Sequence, residues 1–212
     1  MNESPRKTQF RFRGTTITAE ADPFDHIHSN VLRLAIIRTP FQKYVATILN
    51  WLPRCIGQLF LWPPPEYLLP NQVVLKTRKT GWDDEFENEK AMYKRLEPLQ
   101  GCILPRFLGD ADHGGSPAIV LSHIDSVRVY ERQSSPMPVD EFERQLEAAF
   151  REFTRFGVVY GDAKLDNCLI SEGRVMLVDL EAVSEEKEED YELAITSYCN
   201  KIVREYRLTN EA

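Results

Sequence analysis

The chain has 212 residues and a formal net charge of −7 at pH 7. This length allows one ordinary domain or two small lobes around a buried core. The acidic balance disfavours nucleic acid and anionic membrane surfaces as partners, so we expect no nucleic-acid binding. The four cysteines are widely spaced and no C-x-x-C occurs, which disfavours a disulfide framework and favours an intracellular, cytoplasmic protein. The polar start, "MNESPRKTQF", does not predict a signal peptide.

Residues 1–65 are expected to form an N-terminal extension that is partly helical. The alternating stretch "FRFRGTTIT" predicts a short hairpin, and the apolar spacing that follows predicts helix across residues 30–62. His26 and His28 have the spacing of metal ligands, but no neighbouring His or Cys cluster supports them. We therefore expect a surface pair rather than a metal site.

The most apolar tract of the chain covers residues 44–62. Pro53-Arg54 divides this tract, and neither half is long enough to cross a bilayer, so no transmembrane segment is expected. The tract is instead a candidate surface for a protein partner. The stretch "WPPPEYLLP" predicts a stiff connector after it, because three consecutive prolines cannot continue a helix.

Residues 66–122 are expected to form a small lobe. The stretch "QVVLKT" predicts a buried strand that carries Lys76 near its end. A helix is predicted across "GWDDEFENEKAMYKRLEPL", because acids crowd its first turn and Pro98 ends it. The stretches "PRFLGDAD" and "SPAIVLSHI" predict two strands joined by the turn "HGGSP".

One face of the predicted helix carries a carboxylate in the middle of an apolar stripe. The stripe has helical spacing and consists of Trp82, Phe86, Glu89, Tyr93 and Leu96. A buried carboxylate is costly unless it is paired. Lys76 on the preceding strand is the predicted partner of Glu89.

Residues 123–212 are expected to form a helical C-terminal lobe. An amphipathic helix is predicted over "VDEFERQLEAAFREFTRFG", with Gly157 as its C-terminal stop. The strands "NCLI" and "VMLV" flank the turn "SEGR", which predicts an antiparallel hairpin. The last segment predicts a helix whose apolar face packs under this hairpin, with the face formed by Tyr191, Ile195, Tyr198 and Ile202.

The stretch "VVYGDAKLDNCLI" combines apolar flanks with a polar middle. Taken alone, its middle suits a solvated turn equally well. The hairpin register, however, predicts that Asn167 lies opposite Val178 and therefore beside Asp179, next to Asp162. Carboxylate and amide oxygens on a rigid hairpin suit Mg²⁺, and Lys164 adds a positive charge close by. These are the groups that phosphoryl transfer needs. Cys168, beside Asn167, is expected to pack inside the hairpin.

This ordered set of residues resembles the protein-kinase-like superfamily. The catalytic loop of that family reads H-R-D-L-K-x-x-N and its metal loop reads D-F-G, and the corresponding segments are "YGDAKLDN" and "DLE". The phrases "LPNQVVLK", "YKRLEPLQG" and "VMLVDLEAV" are similar to uncharacterised fungal kinase-like proteins of the atypical, aminoglycoside-phosphotransferase-like branch. The resemblance covers residues 73–183. It implies an α+β, two-lobed protein-kinase-like fold with a shortened C-terminal lobe.

The resemblance also implies a reaction and a set of roles. The protein would transfer the γ-phosphoryl group of ATP, with Mg²⁺, to a hydroxyl group on a protein or a small molecule. Asp162 would accept or orient the hydroxyl proton, and Lys164 would neutralise the transferring group. Further roles are implied for metal ligands (Asn167 and Asp179), a phosphate-binding pair (Lys76 and Glu89) and backbone groups that read the adenine edge (Ser122, His123 and Ile124).

Departures from the family pattern at Tyr160 and before Lys76, together with the apolar tract at residues 44–62, keep a second function open. Tyr160 stands where the family has His, Gly161 where regulated protein kinases have Arg, and Glu181 where the metal loop has Gly. In addition, no Gly-rich loop precedes Lys76. The alternative is a catalytically weak pseudokinase that acts as a nucleotide-binding or scaffold module. Retention of all six polar residues of the site favours catalysis.

Overall fold

The computed structural model of the protein describes residues 6–23, 30–44, 67, 69–128 and 137–211. The chain divides into two compact units. The first unit contains Met1–Thr80 and Phe107–His123, and the second contains Gly81–Arg106 and Ile124–Ala212. The apolar tract from residue 45 onward, the His26 and His28 pair, and most of the proline-rich connector lie outside the described residues.

The first unit is a closed antiparallel barrel of six strands in the order β1-β2-β3-β4-β6-β5. Strand β1 pairs with β5 through Arg11 opposite Asp112 and Phe12 opposite Ala111, and this pairing closes the sheet. The strands are β1 Arg6–Phe12, β2 Thr15–Pro23, β3 Val31–Ile36, β4 Gln72–Thr77, β5 Phe107–His113 and β6 Ser116–Ser122.

Alternating side chains fill the barrel interior. The core is formed by one face of each strand, because successive residues of a strand point to opposite sides, and it includes Phe10, Phe12, Ile17, Leu34, Val73, Leu75 and Val120. The turn between β1 and β2 uses the left-handed region at Arg13 and Gly14, with φ of 49° and 85°. The hairpin predicted from "FRFRGTTIT" is confirmed.

The helix predicted across residues 30–62 is wrong over its first part. Val31–Ile36 forms strand β3, which pairs with β2 on one side and β4 on the other, and only residues 40–44 are helical in the described part of this segment. A short apolar run such as "VLRLAI" fits the helical repeat and the strand repeat equally well. Pairing with the distant strands β2 and β4 makes this run a strand. A local sequence pattern cannot reveal such pairing.

The expected two-lobed protein-kinase-like fold is also wrong. The described residues instead include a closed six-stranded antiparallel barrel. Its described part contains three helices of seven or more residues, namely α1 Asp83–Arg95, α2 Val139–Thr154 and α3 Tyr191–Glu211. The expectation failed because the strands before Lys76 were assigned to an extension, whereas they complete the barrel.

The second unit combines these three helices with short strands. Its two sheets have the orders β10-β9-β7 and β11-β8. The strands are β7 Val127–Arg128, β8 Val158–Tyr160, β9 Cys168–Ser171, β10 Arg174–Leu177 and β11 Val183–Glu185. The helices predicted around α1, α2 and α3 and the hairpin predicted from "NCLI" and "VMLV" are therefore confirmed as elements.

Helices α2 and α3 pack through aromatic and aliphatic side chains. Phe142 stacks on Tyr206 with ring centroids 4.0 Å apart, and Tyr206 Oη donates to Met137 O at 2.6 Å. Ile195 and Ile202 of the predicted apolar face are buried, whereas Tyr191 and Tyr198 are only half-buried. Among the described ranges, no helix has the length and apolar character needed to cross a bilayer.

Candidate functional site

The β9–β10 hairpin has the register that the sequence predicts. Ile170 lies opposite Val175 and Cys168 opposite Leu177. The ladder continues with a hydrogen bond of 3.0 Å from Val178 N to Asn167 O. The backbone of Asn167 is thus fixed next to the residue that precedes Asp179.

Three of the predicted site residues form one hydrogen-bonded group. Lys164 Nζ donates to Asp162 Oδ2 at 2.9 Å, and Asn167 Nδ2 donates to the same oxygen at 3.0 Å. A 3₁₀ turn over Leu165–Asn167 brings the two donors to one side. The Asp162 side chain is 24% exposed and that of Lys164 is 63% exposed, so the group lies at the surface of the second unit.

The orientation of the Asn167 side chain follows from its partner. A carboxylate only accepts hydrogen bonds, so the amide nitrogen must face Asp162. The amide oxygen of Asn167 is consequently directed away from Asp162. That oxygen is the atom which a hard cation would bind.

The charge of Lys164 is stabilised by the same contact. The hydrogen bond to Asp162 raises the pKa of Lys164 above its usual value, and the negative charges of Asp162, Asp179 and Asp166 act in the same direction. Lys164 is therefore a full cation at neutral pH, as its predicted role requires.

Asp179 has an unusual backbone conformation. Its φ of 64° lies in the left-handed region, which non-glycine residues rarely occupy and which stores strain of about 1–3 kcal/mol. Its Oδ1 accepts a hydrogen bond of 3.3 Å from Glu181 N. The loop after β10 is therefore held in a tight turn that begins at the predicted metal ligand.

Glu89, Asp179 and Glu181 bring carboxylate oxygens within 4.8 Å of one another. Glu89 is fully buried, at 0% exposure. Carboxylate oxygens and the amide oxygen of Asn167 are the kinds of ligand that Mg²⁺ binds. The residues therefore fit a divalent cation. Glu181 was interpreted from the sequence only as a departure from glycine, although its spacing from Asp179 signals a second carboxylate in the loop.

Helix α1 contacts this loop through two adjacent residues. Glu89 Oε1 accepts a hydrogen bond of 3.5 Å from Leu180 N. Asn88 Nδ2 donates to Glu181 O and Val183 O, both at 2.9 Å. The sequence pattern does not single out Asn88, because an amide on a charged helix is normally a solvated residue.

Tyr160 has a clear structural role. It is 2% exposed, and its Oη donates to Val178 O at 2.5 Å. Its ring stacks on Phe150 and meets the edge of Phe153, with centroid distances of 5.6 and 5.7 Å. Burial raises the pKa of Tyr160 well above its usual value, so the hydroxyl stays a donor. Tyr160 thereby holds the carbonyl that precedes Asp179.

Gly161 is required by close backbone packing. Strand β8 pairs with β11 through Tyr160 opposite Val183, and a Cβ at Gly161 would overlap the carbonyl oxygen of Ala182. Any larger side chain at this position would push the two strands apart. The absence of arginine here is therefore explained by packing.

Helix α3 also supports the site. Glu205 Oε2 accepts a hydrogen bond of 3.4 Å from Leu165 N, at the start of the 3₁₀ turn. The sequence contains no signal for this contact, because it depends on where α3 passes the loop.

The predicted nucleotide contacts fall largely in the first unit. Lys76 lies on β4 opposite Ile119 of β6, on the face of the strand that points away from the barrel core, and it is 6% exposed. Ser122 ends β6, and His123 and Ile124 follow it, half-buried. Lys76 belongs to the first unit and Glu89 to the second, so their pairing stays a prediction.

The apolar stripe predicted along α1 is buried except at its first member. Trp82 is 45% exposed, while the other members are buried.

Cys168 is expected to resist alkylation in the folded protein. It is buried, and burial raises its pKa above the usual value, while burial raises the pKa of Cys199 to about 12. Cys102 is exposed. Iodoacetamide at about pH 8 should therefore modify Cys102 well before Cys168 or Cys199, since only a thiolate reacts. Peptide mass mapping with and without denaturant measures this, and equal rates for Cys102 and Cys168 would contradict the buried placement.

No family model matches the chain, and no curated protein matches its sequence.

Proposed function

We propose that the protein is an ATP- and Mg²⁺-dependent phosphotransferase that acts on a hydroxyl group of a protein or small molecule inside the cell. The observation that carries the proposal is the group formed by Asp162, Lys164 and Asn167 beside the loop that starts at Asp179. The proposal rests on this local arrangement and on the order of the motifs. It does not rest on a kinase fold, which the chain does not adopt.

In the proposed reaction, the acceptor oxygen attacks the γ-phosphorus of ATP. A bond forms between these two atoms, the bond from the γ-phosphorus to the bridging oxygen breaks, and ADP leaves. The hydroxyl proton passes to Asp162. Lys164 and Asn167 both donate hydrogen bonds to Asp162 Oδ2. Oδ1 is therefore left to accept the proton of the hydroxyl. Lys164 then neutralises negative charge on the transferring group.

The proposed metal ligands are Asp179 and Asn167, with Glu89 and Glu181 close to Asp179. When bound, Mg²⁺ would neutralise charge on the phosphate oxygens and orient them. The nucleotide contacts proposed for Lys76 and for Ser122, His123 and Ile124 remain predictions from the sequence.

A nucleotide-binding or scaffold module without transfer is the second candidate. It is favoured by the ion pair of 2.9 Å between Lys164 Nζ and Asp162 Oδ2, because the Lys164 ammonium is then paired with Asp162 rather than with a transferring phosphoryl group. The two functions differ in one measurable respect. A scaffold binds ATP and releases no ADP in either the wild-type protein or the Asp162→Asn variant.

The proposed function predicts that ATP stabilises the protein only when Mg²⁺ is present. Binding at roughly a hundredfold excess over Kd adds about 2.7 kcal/mol to the free energy of unfolding. Asp179→Ala should abolish this increase because it removes a metal ligand. Thermal unfolding of the full chain with ATP, with Mg²⁺ and with both measures the effect.

The matched control for this experiment is Asp166→Ala. Asp166 is an exposed carboxylate in the 3₁₀ turn Leu165–Asn167 and is not among the proposed metal ligands, so its removal should leave the stabilisation unchanged. No stabilisation of the wild-type protein, or an Asp179→Ala variant equal to it, overturns the proposed function.

A further inference from the structure

The amide of Asn88 joins helix α1 to the loop that follows Asp179. Both hydrogens of an amide NH₂ are donors, and here one nitrogen contacts Glu181 O and Val183 O at 2.9 Å each. The two carbonyls belong to residues on either side of Ala182. Asn88 therefore spans the turn and fixes its backbone to α1.

The Asn88 link joins two elements whose carboxylates lie close together. Glu89 on α1 and Asp179 and Glu181 on the loop bring their oxygens within 4.8 Å of one another. Like charges at this distance favour separation of the groups that carry them. The Asn88 bonds hold the Glu181 backbone to the helix that carries Glu89, and so they oppose this separation without adding charge.

The remaining loop backbone is held from the other side. Tyr160 Oη donates to Val178 O at 2.5 Å, immediately before the strained Asp179. Asp179 thus lies between one hydrogen bond from β8 and three to α1, two from Asn88 Nδ2 and one from Leu180 N to Glu89 Oε1. Loss of the Asn88 bonds would release the loop on its Glu181 side only.

We propose that Asn88 is a positioning residue that sets the divalent-cation affinity of Glu89, Asp179 and Glu181. This inference rests on the proposed function, because it takes these residues to hold the cation. Asn88 itself would not touch the metal. Residues that orient metal ligands typically change metal affinity by about 10–100-fold when they are replaced.

A purely structural role for Asn88 makes a different prediction. If the amide only fastens α1 to the second unit, its removal lowers stability but leaves the cation affinity of the folded protein unchanged. Gln100 provides a matched comparison, because its Nε2 donates to Tyr93 O of α1 at 2.6 Å. Gln100→Leu removes an amide-to-carbonyl bond to the same helix from a residue outside the loop.

The experiment titrates the full-length protein with Mn²⁺ alone and measures free Mn²⁺ by electron paramagnetic resonance. Asn88→Leu, which keeps the volume and removes both donors, should bind Mn²⁺ about 10–100-fold more weakly than wild type. Asn88→Gln, which keeps the amide, should restore most of the affinity. Gln100→Leu should bind like wild type, and thermal unfolding of each variant reports stability separately.

Each outcome of the titration decides one question. Wild-type protein that does not bind Mn²⁺ overturns the proposed metal function and the inference with it. Wild-type protein that binds Mn²⁺, together with an Asn88→Leu variant equal to Gln100→Leu, overturns the inference and leaves the proposed function standing. If Asn88→Leu does not fold, Asn88→Ser takes its place, because serine keeps a single donor of shorter reach. Wild-type affinity in that variant would overturn the inference.

Discussion

Replacing Asp162 with asparagine is expected to slow phosphoryl transfer by about 10²–10⁴-fold, which is the usual contribution of a positioned general base. Binding of ATP with Mg²⁺ should be largely unchanged, since Asp162 is not a proposed metal ligand. The substitution alters only the ability to accept a proton. It therefore isolates the chemical step from nucleotide binding.

The contacts of Asp162 explain why asparagine is a clean replacement. Lys164 and Asn167 both donate to Oδ2, so an asparagine at this position would turn its amide oxygen toward them. Its NH₂ group then occupies the place of Oδ1. A group that already carries two hydrogens cannot take the proton of the acceptor hydroxyl, although the surrounding hydrogen bonds persist.

The measurement uses γ-labelled ATP with water or the protein itself as the acceptor, because both are present without a known substrate. Release of ADP and transfer of label are followed for wild type, Asp162→Asn and the control Asp166→Asn, which makes the same change in charge at an exposed neighbour. Equal rates in all three would exclude Asp162 as the base. Rates at background in all three, with ATP bound, would favour the scaffold function.

The hairpin that carries the site was predictable because its determinants are local. Strands "NCLI" and "VMLV" are joined by a short turn with Gly173 at φ 73°, and the apolar residues on both strands admit one register. That register brings Asn167 to Val178, as predicted. Likewise, Phe86, Glu89 and Tyr93 fall on one buried face of α1 because helical spacing alone determines the face.

The barrel and the supporting contacts were not predictable because they depend on distant segments. Closure requires β1 to pair with β5, which lies about a hundred residues further along the chain, through Arg11 and Asp112. Asn88 and Glu205 reach the site only because their helices pass the loops there. Neither residue differs in the sequence from an ordinary solvated polar residue on a helix.

The Tyr160 hydroxyl is expected to be essential for the geometry of Asp179. Tyr160→Phe keeps the ring between Phe150 and Phe153 but removes the hydrogen bond to Val178 O. The unpaired carbonyl should lower the free energy of unfolding by about 1–3 kcal/mol. The Mg²⁺ concentration needed for stabilisation by ATP should rise about 10–100-fold, because the carbonyl of the residue before a proposed metal ligand is no longer held.

Tyr206 supplies a matched control in the same unit. Tyr206 is also buried, and its Oη donates to a backbone carbonyl, Met137 O, at 2.6 Å, away from the Asp179 loop. Tyr206→Phe should therefore cost similar stability and leave the Mg²⁺ requirement unchanged. If both variants change only stability, the Tyr160 hydroxyl contributes packing and hydrogen bonding alone. If only Tyr160→Phe changes the Mg²⁺ requirement, the Tyr160 hydroxyl supports the Asp179 loop, and its presence argues for a working site.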